Sequence, residues 1–283
     1  MSPRLGRKGP ETPPWASVEL QKPRYSQSLE RGLAVLRCFT ADRSVLGIAD
    51  LAAELGLTRS TTHRYAITLV ALGYLEQGAS RKYQLGLRVA DLGMSALNSM
   101  GLRDHARPYL EELRLRTSYT VSMSVIDGPE VLYVDRLRGY DRGARQVTAA
   151  VAVGSRLPAH LTAMGKLLLA HLPAPEQAEA LQSLKLGRYG PNTLRSTRQL
   201  REELAVVREE PITTSNEELA AGLVAIAAPV HNEARDVVAA ISLSTHITTA
   251  TIADLVVLAP HLIATADRVS AGLERLNDTA TAA

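Results

Sequence analysis

The chain is predicted to be an α+β protein: a winged helix-turn-helix, a linker helix, then a larger domain built on an antiparallel sheet. Three observations predict this. Residues 46–85 place two short amphipathic stretches on either side of a glycine and follow them with a basic hairpin pattern. Residues 87–117 keep helical periodicity. From residue 120 onward, alternating stretches come in pairs with helical stretches between the pairs, which indicates antiparallel pairing and not a doubly wound parallel sheet.

The elements follow in order. Residues 1–24 hold five of the 14 prolines, with basic residues between them and no periodicity, and are expected to be a disordered leader. A helix from Ser28 carries Leu29, Leu33 and Leu36 on one face, with Ser28 expected as its N-cap. Ile48, Leu51, Ala52 and Leu55 recur at three- and four-residue spacing, so 48–55 is a helix with one buried face. Gly56 then serves as a left-handed C-cap, Leu57 plugs the turn, and Thr58 caps a second helix over 59–71. That helix turns Thr62, Tyr65, Leu69 and Leu72 inward. Gly73 ends it, and 74–76 and 82–85 form the wing strands around the tip Gly78-Ala79-Ser80-Arg81. Residues 87–100 read as the linker helix and 104–117 as a further helix that tolerates Pro108 near its start. Residues 120–126 and 130–137 alternate around Asp127-Gly128, a hairpin. A third strand is expected at 146–153, helices at 161–171, 175–184 and 197–209, and a strand pair at 223–230 and 237–244. A last helix over 251–276 is interrupted at Pro260. The domains are thus 25–86, the linker 87–103 and 104–277, with a tail at 278–283.

The second helix of the tandem carries the chemistry. Its first turns gather Arg59, Ser60, Thr61, His63 and Arg64, and the N-terminal turns of a recognition helix are what reach base edges in a major groove. Arg81 and Lys82 at the wing are placed for phosphate or the minor groove, and Ser28 and Thr58 set hydroxyls and helix N-termini where phosphate binds. A polar helix face alone would be only a solvated face; the basic hairpin beside it makes double-stranded DNA the expected partner. Charge agrees. Residues 1–85 hold 12 Lys/Arg against seven Asp/Glu, whereas 86–283 hold 20 against 22, so the positive excess sits with the helix-turn-helix.

Composition excludes other classes. With 46% hydrophobic and 22% charged residues the chain is an ordinary globular protein, and it has no apolar run long enough for a membrane span. No signal-peptide pattern opens it, so the cytoplasm is expected. A single cysteine, Cys38, cannot form an internal disulfide and reads as core. No cofactor or metal is expected: His105, His171, His231, His246 and His261 lack ligand spacing. G-x-S-x-G, a P-loop, a dinucleotide fingerprint and HExxH are all missing, which argues against an enzyme.

Six blocks in order resemble the IclR family of bacterial transcriptional regulators over roughly 25–275: SLERGLAVLRCF at 28–39, LAAELGLTRSTTHRYAITLVALGYLE at 51–76, YQLGLRVADLG at 83–93, GSRLPAHLTAMGKLLLA at 154–170, EELAAGLVAIAAPV at 217–230 and VVAAISLS at 237–244. QSLERGL and the RLRG at 136–139 look most like the branch controlling aromatic-acid breakdown. The resemblance implies a ligand-responsive repressor or activator, working as a homodimer or tetramer on a pseudo-palindromic operator. It also implies a GAF-like effector-binding domain that takes a small carboxylic acid. Carried over by motif, the pocket residues are Ala163 and Met164 through their backbone N–H groups, with Ser215, Ala225, Ser242 and Ser244. Backbone amides and serine hydroxyls hold a carboxylate without a formal positive charge. Two positions depart from the family: Ser215-Asn216 stands where relatives often begin with Asp, and Ala225 where some carry Cys. His160 either pairs with an acid at the pocket mouth or caps the loop beside Pro158; Arg136 and Arg138 reach the pocket, reach neighbours across a subunit contact, or, by default, lie on the surface. The alternative functions are a DNA-binding regulator whose second domain serves only assembly, and an enzyme using that domain.

Overall fold

A computed structural model describes residues 25–40, 43–99, 101–140 and 151–281. The expected leader 1–24 lies outside the described residues. The chain divides into two compact units, 1–96 and 97–283.

In the first unit, α1 (Gln27–Arg37), α2 (Ile48–Leu55) and α3 (Arg59–Ala71) are followed by a two-stranded antiparallel wing, β1 (Leu75–Gln77) and β2 (Tyr83–Leu85). Gly56 adopts φ 64°, the left-handed cap that lets the chain turn sharply into α3. The Thr58 hydroxyl accepts the Thr61 N–H at 3.1 Å and so caps α3. The core joins Val35, Cys38 and Phe39 to Leu46, Leu51, Ala66, Leu69, Leu75 and Tyr83. Burial pushes the Cys38 thiol up to about 11, so it stays protonated and inert near neutral pH.

Three expectations fail here. Ser26, not Ser28, caps α1, accepting the Leu29 N–H at 3.3 Å. Leu29 and Leu33 remain exposed, because α1 carries apolar residues on two sides and the Val35/Cys38 side is the one that packs. Likewise Leu72 is exposed while Ala66, a smaller residue, takes the fully buried place on α3.

Helix α4 (Arg88–Ser99) precedes the second unit's α5 (Leu102–Thr117). There follow β3 (Thr120–Asp127), β4 (Glu130–Leu137), β5 (Arg156–Pro158), a single 3-10 turn (Ala159–Leu161), α6 (Ala163–His171), α7 (Ala174–Ser183) and α8 (Thr197–Glu209). The unit closes with β6 (Thr213–Asn216), β7 (Leu223–His231), β8 (Val237–His246), α9 (Ile252–Val257) and α10 (Ala259–Thr281). The last helical stretch breaks at Leu258, just ahead of Pro260, and then runs on into the region expected to be a tail.

The six strands form one antiparallel sheet in the order β5-β4-β3-β8-β7-β6. One core packs α5, α9 and α10 against one face, and a second core packs α6, α7 and α8 against the other. The third strand expected at 146–153 falls mostly outside the described residues. Residues 151–153 are not strand, and the strand on the outer side of β4 is Arg156–Pro158. Edge strand β6 was not foreseen, since Thr213-Thr214-Ser215-Asn216 has no apolar alternation to mark it. Among the described residues, no helix is long and apolar enough to cross a membrane.

Candidate DNA interface and effector cavity

On α3, Arg59, Ser60, His63 and Arg64 are exposed and share the helix's first two turns. Thr61 is half-buried, and its hydroxyl accepts a hydrogen bond from that of Thr58 at 2.9 Å, so these two threonines serve the cap first. The wing tip turns at Arg81, whose φ of 57° is unusual for a residue with a Cβ. Arg81 and Lys82 are both exposed there. Ser28 lies exposed in the first turn of α1, within hydrogen-bonding reach of the Tyr65 phenol on α3. That bond, with Arg31 nearby, lowers the Tyr65 pKa.

In the second unit a cavity of about 450 Å³, counted out to its opening, lies between the sheet and the start of α6. Helix α6 begins there for local reasons. Thr162 caps it by accepting the Gly165 N–H at 2.9 Å. Gly165 also lets the helix press against the 3-10 turn: a Cβ at this position would lie 2.1 Å from the Ala159 carbonyl oxygen. The first-turn N–H groups of Ala163 and Met164 have no partner among the described residues.

The sheet side of the cavity is set by strand register. Ser122 on β3 pairs with Ser242 on β8 and with Arg136 on β4. One step along, Ser244 pairs with Ala225, and Ala225 with Ser215. All six residues line the cavity. Ser242 is only 4% exposed and its hydroxyl has no hydrogen-bond partner among the described residues. Ser215 donates to the Leu161 carbonyl at 3.3 Å, tying β6 to the turn before α6.

Arg136 reaches this face through a β-bulge. Between Met123 and Ser124 the pairing of β3 with β4 skips Val134, so Val134 and Asp135 both turn toward the α5 side. The extra residue puts Arg136 on the same side as Tyr133, toward the cavity. Its Nη1 donates to the Ser122 hydroxyl at 3.1 Å, and its guanidinium lies 5.9 Å from the Tyr133 ring centre. Burial lowers the Arg136 pKa and pushes the Tyr133 phenol up to about 12, so arginine stays cationic and tyrosine neutral. Asp135 is fully buried and paired with Arg107 Nη1 at 2.8 and 3.1 Å. Arg138 is exposed and does not line the cavity.

Of the pocket residues read from the sequence, Ala163, Met164, Ser215, Ala225, Ser242 and Ser244 are brought together around the cavity. His160 is not. It is 1% exposed, stands off the cavity, and packs edge-on against Tyr189 with ring centres 6.4 Å apart. Neither ring nitrogen has a hydrogen-bond partner among the described residues, and burial lowers its pKa to about 4. Its buried ring packs in the core beside Tyr189. Ser122, Tyr133, Val151, Leu157, Leu161, Thr162, Leu219 and Leu223 also line it and were not singled out as pocket residues in the sequence.

The same helix α6 carries a buried ion cluster. Lys166, on the second turn of α6, is 1% exposed. Its ammonium donates to Glu203 on α8 and, at 2.7 Å, to Glu218 on the loop after β6. That loop also supplies Leu219 to the cavity wall. The Glu218 carbonyl accepts from the Thr193 hydroxyl at 2.7 Å and the Gly190 N–H at 3.0 Å. Burial raises the Glu218 pKa, with Lys166 opposing the shift. Among the described residues no cluster of His, Cys, Asp and Glu could hold a metal.

Comparison with known proteins agrees with both halves. Residues 28–79 match the IclR helix-turn-helix domain, and residues 94–271 match the bacterial transcriptional regulator IclR C-terminal domain. The chain is 35% identical over 223 residues to the HTH-type transcriptional regulator XynR of Escherichia coli, covering 77% of this chain and 86% of that protein. It is 36% identical over 220 residues to the p-hydroxybenzoate hydroxylase transcriptional activator of Acinetobacter baylyi, covering 77% and 81%. Among solved structures it resembles an IclR homolog from Microbacterium hydrocarbonoxydans crystallised with 4-hydroxybenzoate. That match has 29% identity and a TM-score of 0.76, over 88% of this chain and 99% of the other. With domain matches covering most of its length and relatives above 30% identity, the chain belongs to the IclR family of bacterial transcriptional regulators.

Proposed function

We propose that this regulator binds its operator through α3 and the wing, and that a small organic acid in the α6 cavity alters that binding. Residues 25–86 do the DNA work and 104–277 the sensing, in a cytoplasmic homodimer or tetramer that catalyses no reaction. The observation carrying the sensing half is the cavity itself. Free amides of Ala163 and Met164, the helix dipole behind them and the Ser242 and Ser244 hydroxyls all offer donors, and among the described lining residues none is Asp or Glu. Such a lining favours an anion with oxygen acceptors, and the 4-hydroxybenzoate bound by the Microbacterium homolog is of that chemistry.

On the DNA side, Arg59 and Arg64 are assigned to bases, with Ser60, Thr61 and His63 beside them, and Ser28, Thr58, Arg81 and Lys82 to phosphate. If each arginine reads one base, Arg59→Ala or Arg64→Ala is expected to cut discrimination between operator and random DNA by ~1–3 kcal/mol. Lys82→Ala is expected to weaken both DNAs alike and lower the salt slope by about one unit. Fluorescence anisotropy against both DNAs over a salt series separates the two effects. Equal losses on both DNAs for the arginine variants would overturn the base-reading assignment. The sensing half is tested by operator binding measured with and without carboxylic acids.

A further inference from the structure

We propose that the cavity takes a two-ended acid, one carboxylate held at the α6 N-terminus and a second oxygen acceptor held by Arg136 with Ser122. This rests on the effector reading of the cavity and narrows its ligand class. The lining offers donors at two strand positions, with the free amides of Ala163 and Met164 at the α6 start on the same cavity. At one, Ser244 and Ser215 both pair with Ala225. At the other, Arg136 is turned inward by the β4 bulge and aimed by its bond to Ser122 and its stacking near Tyr133. Ser242, buried and with its hydroxyl unspent among the described residues, lies between them as the strand partner of Ser122.

Much of the remaining lining is apolar: Val151, Leu157, Leu161, Leu219, Leu223 and Ala225. Diagonal neighbours on adjacent antiparallel strands, as Ser122 and Ser244 are, lie roughly 7–8 Å apart. A benzene ring with para substituents, or a chain of about four carbons between two acid groups, spans that distance. A guanidinium held at one end of an apolar cavity discriminates strongly, because a charge-assisted hydrogen bond is directional and a ligand with no acceptor at that place forgoes it. The pattern therefore selects dicarboxylates and hydroxy-acids over simple monoacids of the same length.

The test is isothermal titration of the full chain with matched pairs: benzoate against terephthalate and 4-hydroxybenzoate, and hexanoate against adipate. Within at least one pair, the two-ended acid is expected to bind ten-fold or more tighter than its monoacid. In Arg136→Met that preference should fall below about three-fold while the monoacid's own affinity is kept, and Arg136→Lys should restore part of it. Thermal melts of the variants without ligand establish that the fold is intact. Wild-type affinities equal within each pair would overturn the two-ended assignment and leave the acid-binding cavity standing. A preference that survives Arg136→Met would also overturn it. Binding of none of the five acids would overturn both readings.

Discussion

Replacing Lys166 with Met is expected to destabilise the second unit by ~3–5 kcal/mol, the usual cost of stripping one partner from a buried ion cluster. The side chains are alike in length and both suit an apolar helix, so the loss is electrostatic. Glu203 is one-third exposed and can turn its carboxylate to water, but Glu218 is only 10% exposed and cannot. Left without the ammonium, Glu218 keeps its burial penalty and loses the interaction that opposes it. In a unit of this size a loss on that scale lowers Tm by about 10 °C, read by calorimetry. Adding Glu218→Gln to Lys166→Met should recover much of the loss, since no buried charge then remains. Acidification should narrow the gap too. The folded pKa of Glu218 is raised, so the folded state takes up its proton first, and the penalty fades as pH falls toward that pKa. A Tm within about 2 °C of wild type for Lys166→Met would mean that the cluster contributes little to stability.

The cluster also joins two elements that line the cavity, α6 and the loop after β6. Lys166 belongs to α6, whose first residues line the cavity, and Glu218 precedes Leu219 on the lining. A ligand can shift the equilibrium between DNA-binding states only by contacting them differently. The ion cluster ties α6 to the loop that carries Leu219.

His160 supplies the second large effect, and its sign is set by burial. The ring titrates near 6.5 when unfolded and at about 4 when folded. Its depressed folded pKa gives stability that is complete above pH 6.5, is lost as pH falls through the window from 6.5 to 4, and is fully lost below it. The shift corresponds to about 3 kcal/mol across that window. His160→Phe keeps an aromatic ring against Tyr189 and removes both unpaired nitrogens. At pH 7.5 the variant should match or modestly exceed wild type; by pH 4.5 it should be ahead by about 2 kcal/mol or more, at the order-of-magnitude level of the linkage. Denaturant melts of the full chain across this range decide it. Parallel pH curves would show that His160 is protonated or solvated in the folded state.

The helix-turn-helix was readable in the sequence because its signals are local. Gly56 and Thr58 fix the turn by caps made within four residues, and the α3 face follows from 3.6-residue periodicity. The central hairpins were readable for the same reason, with β4 falling at the expected 130–137. Three features were not. Leu29 and Leu33 repeat at the same spacing as a core face, and nothing in α1 alone says which apolar side meets α2 and α3. The cavity-facing orientation of Arg136 depends on one skipped pairing, and plain alternation from Tyr133 would turn it to the opposite face. The partners of Lys166 lie 37 and 52 residues further along, at Glu203 and Glu218. The one visible clue was a lysine inside the apolar run MGKLLLA, which a buried helix keeps only when its charge is met.

The central claim is that an acid bound in the second unit changes DNA binding by the first. Its most direct test is fluorescence anisotropy of the full chain on its operator, selected from genomic DNA, with and without the same five carboxylic acids. The account predicts specific binding whose Kd moves at least ten-fold with one of the two-ended acids, and an Arg136→Met protein that binds the same DNA but no longer responds to that acid. An operator Kd unchanged by an acid that calorimetry shows to be bound would contradict it: the cavity would then hold ligand without governing DNA.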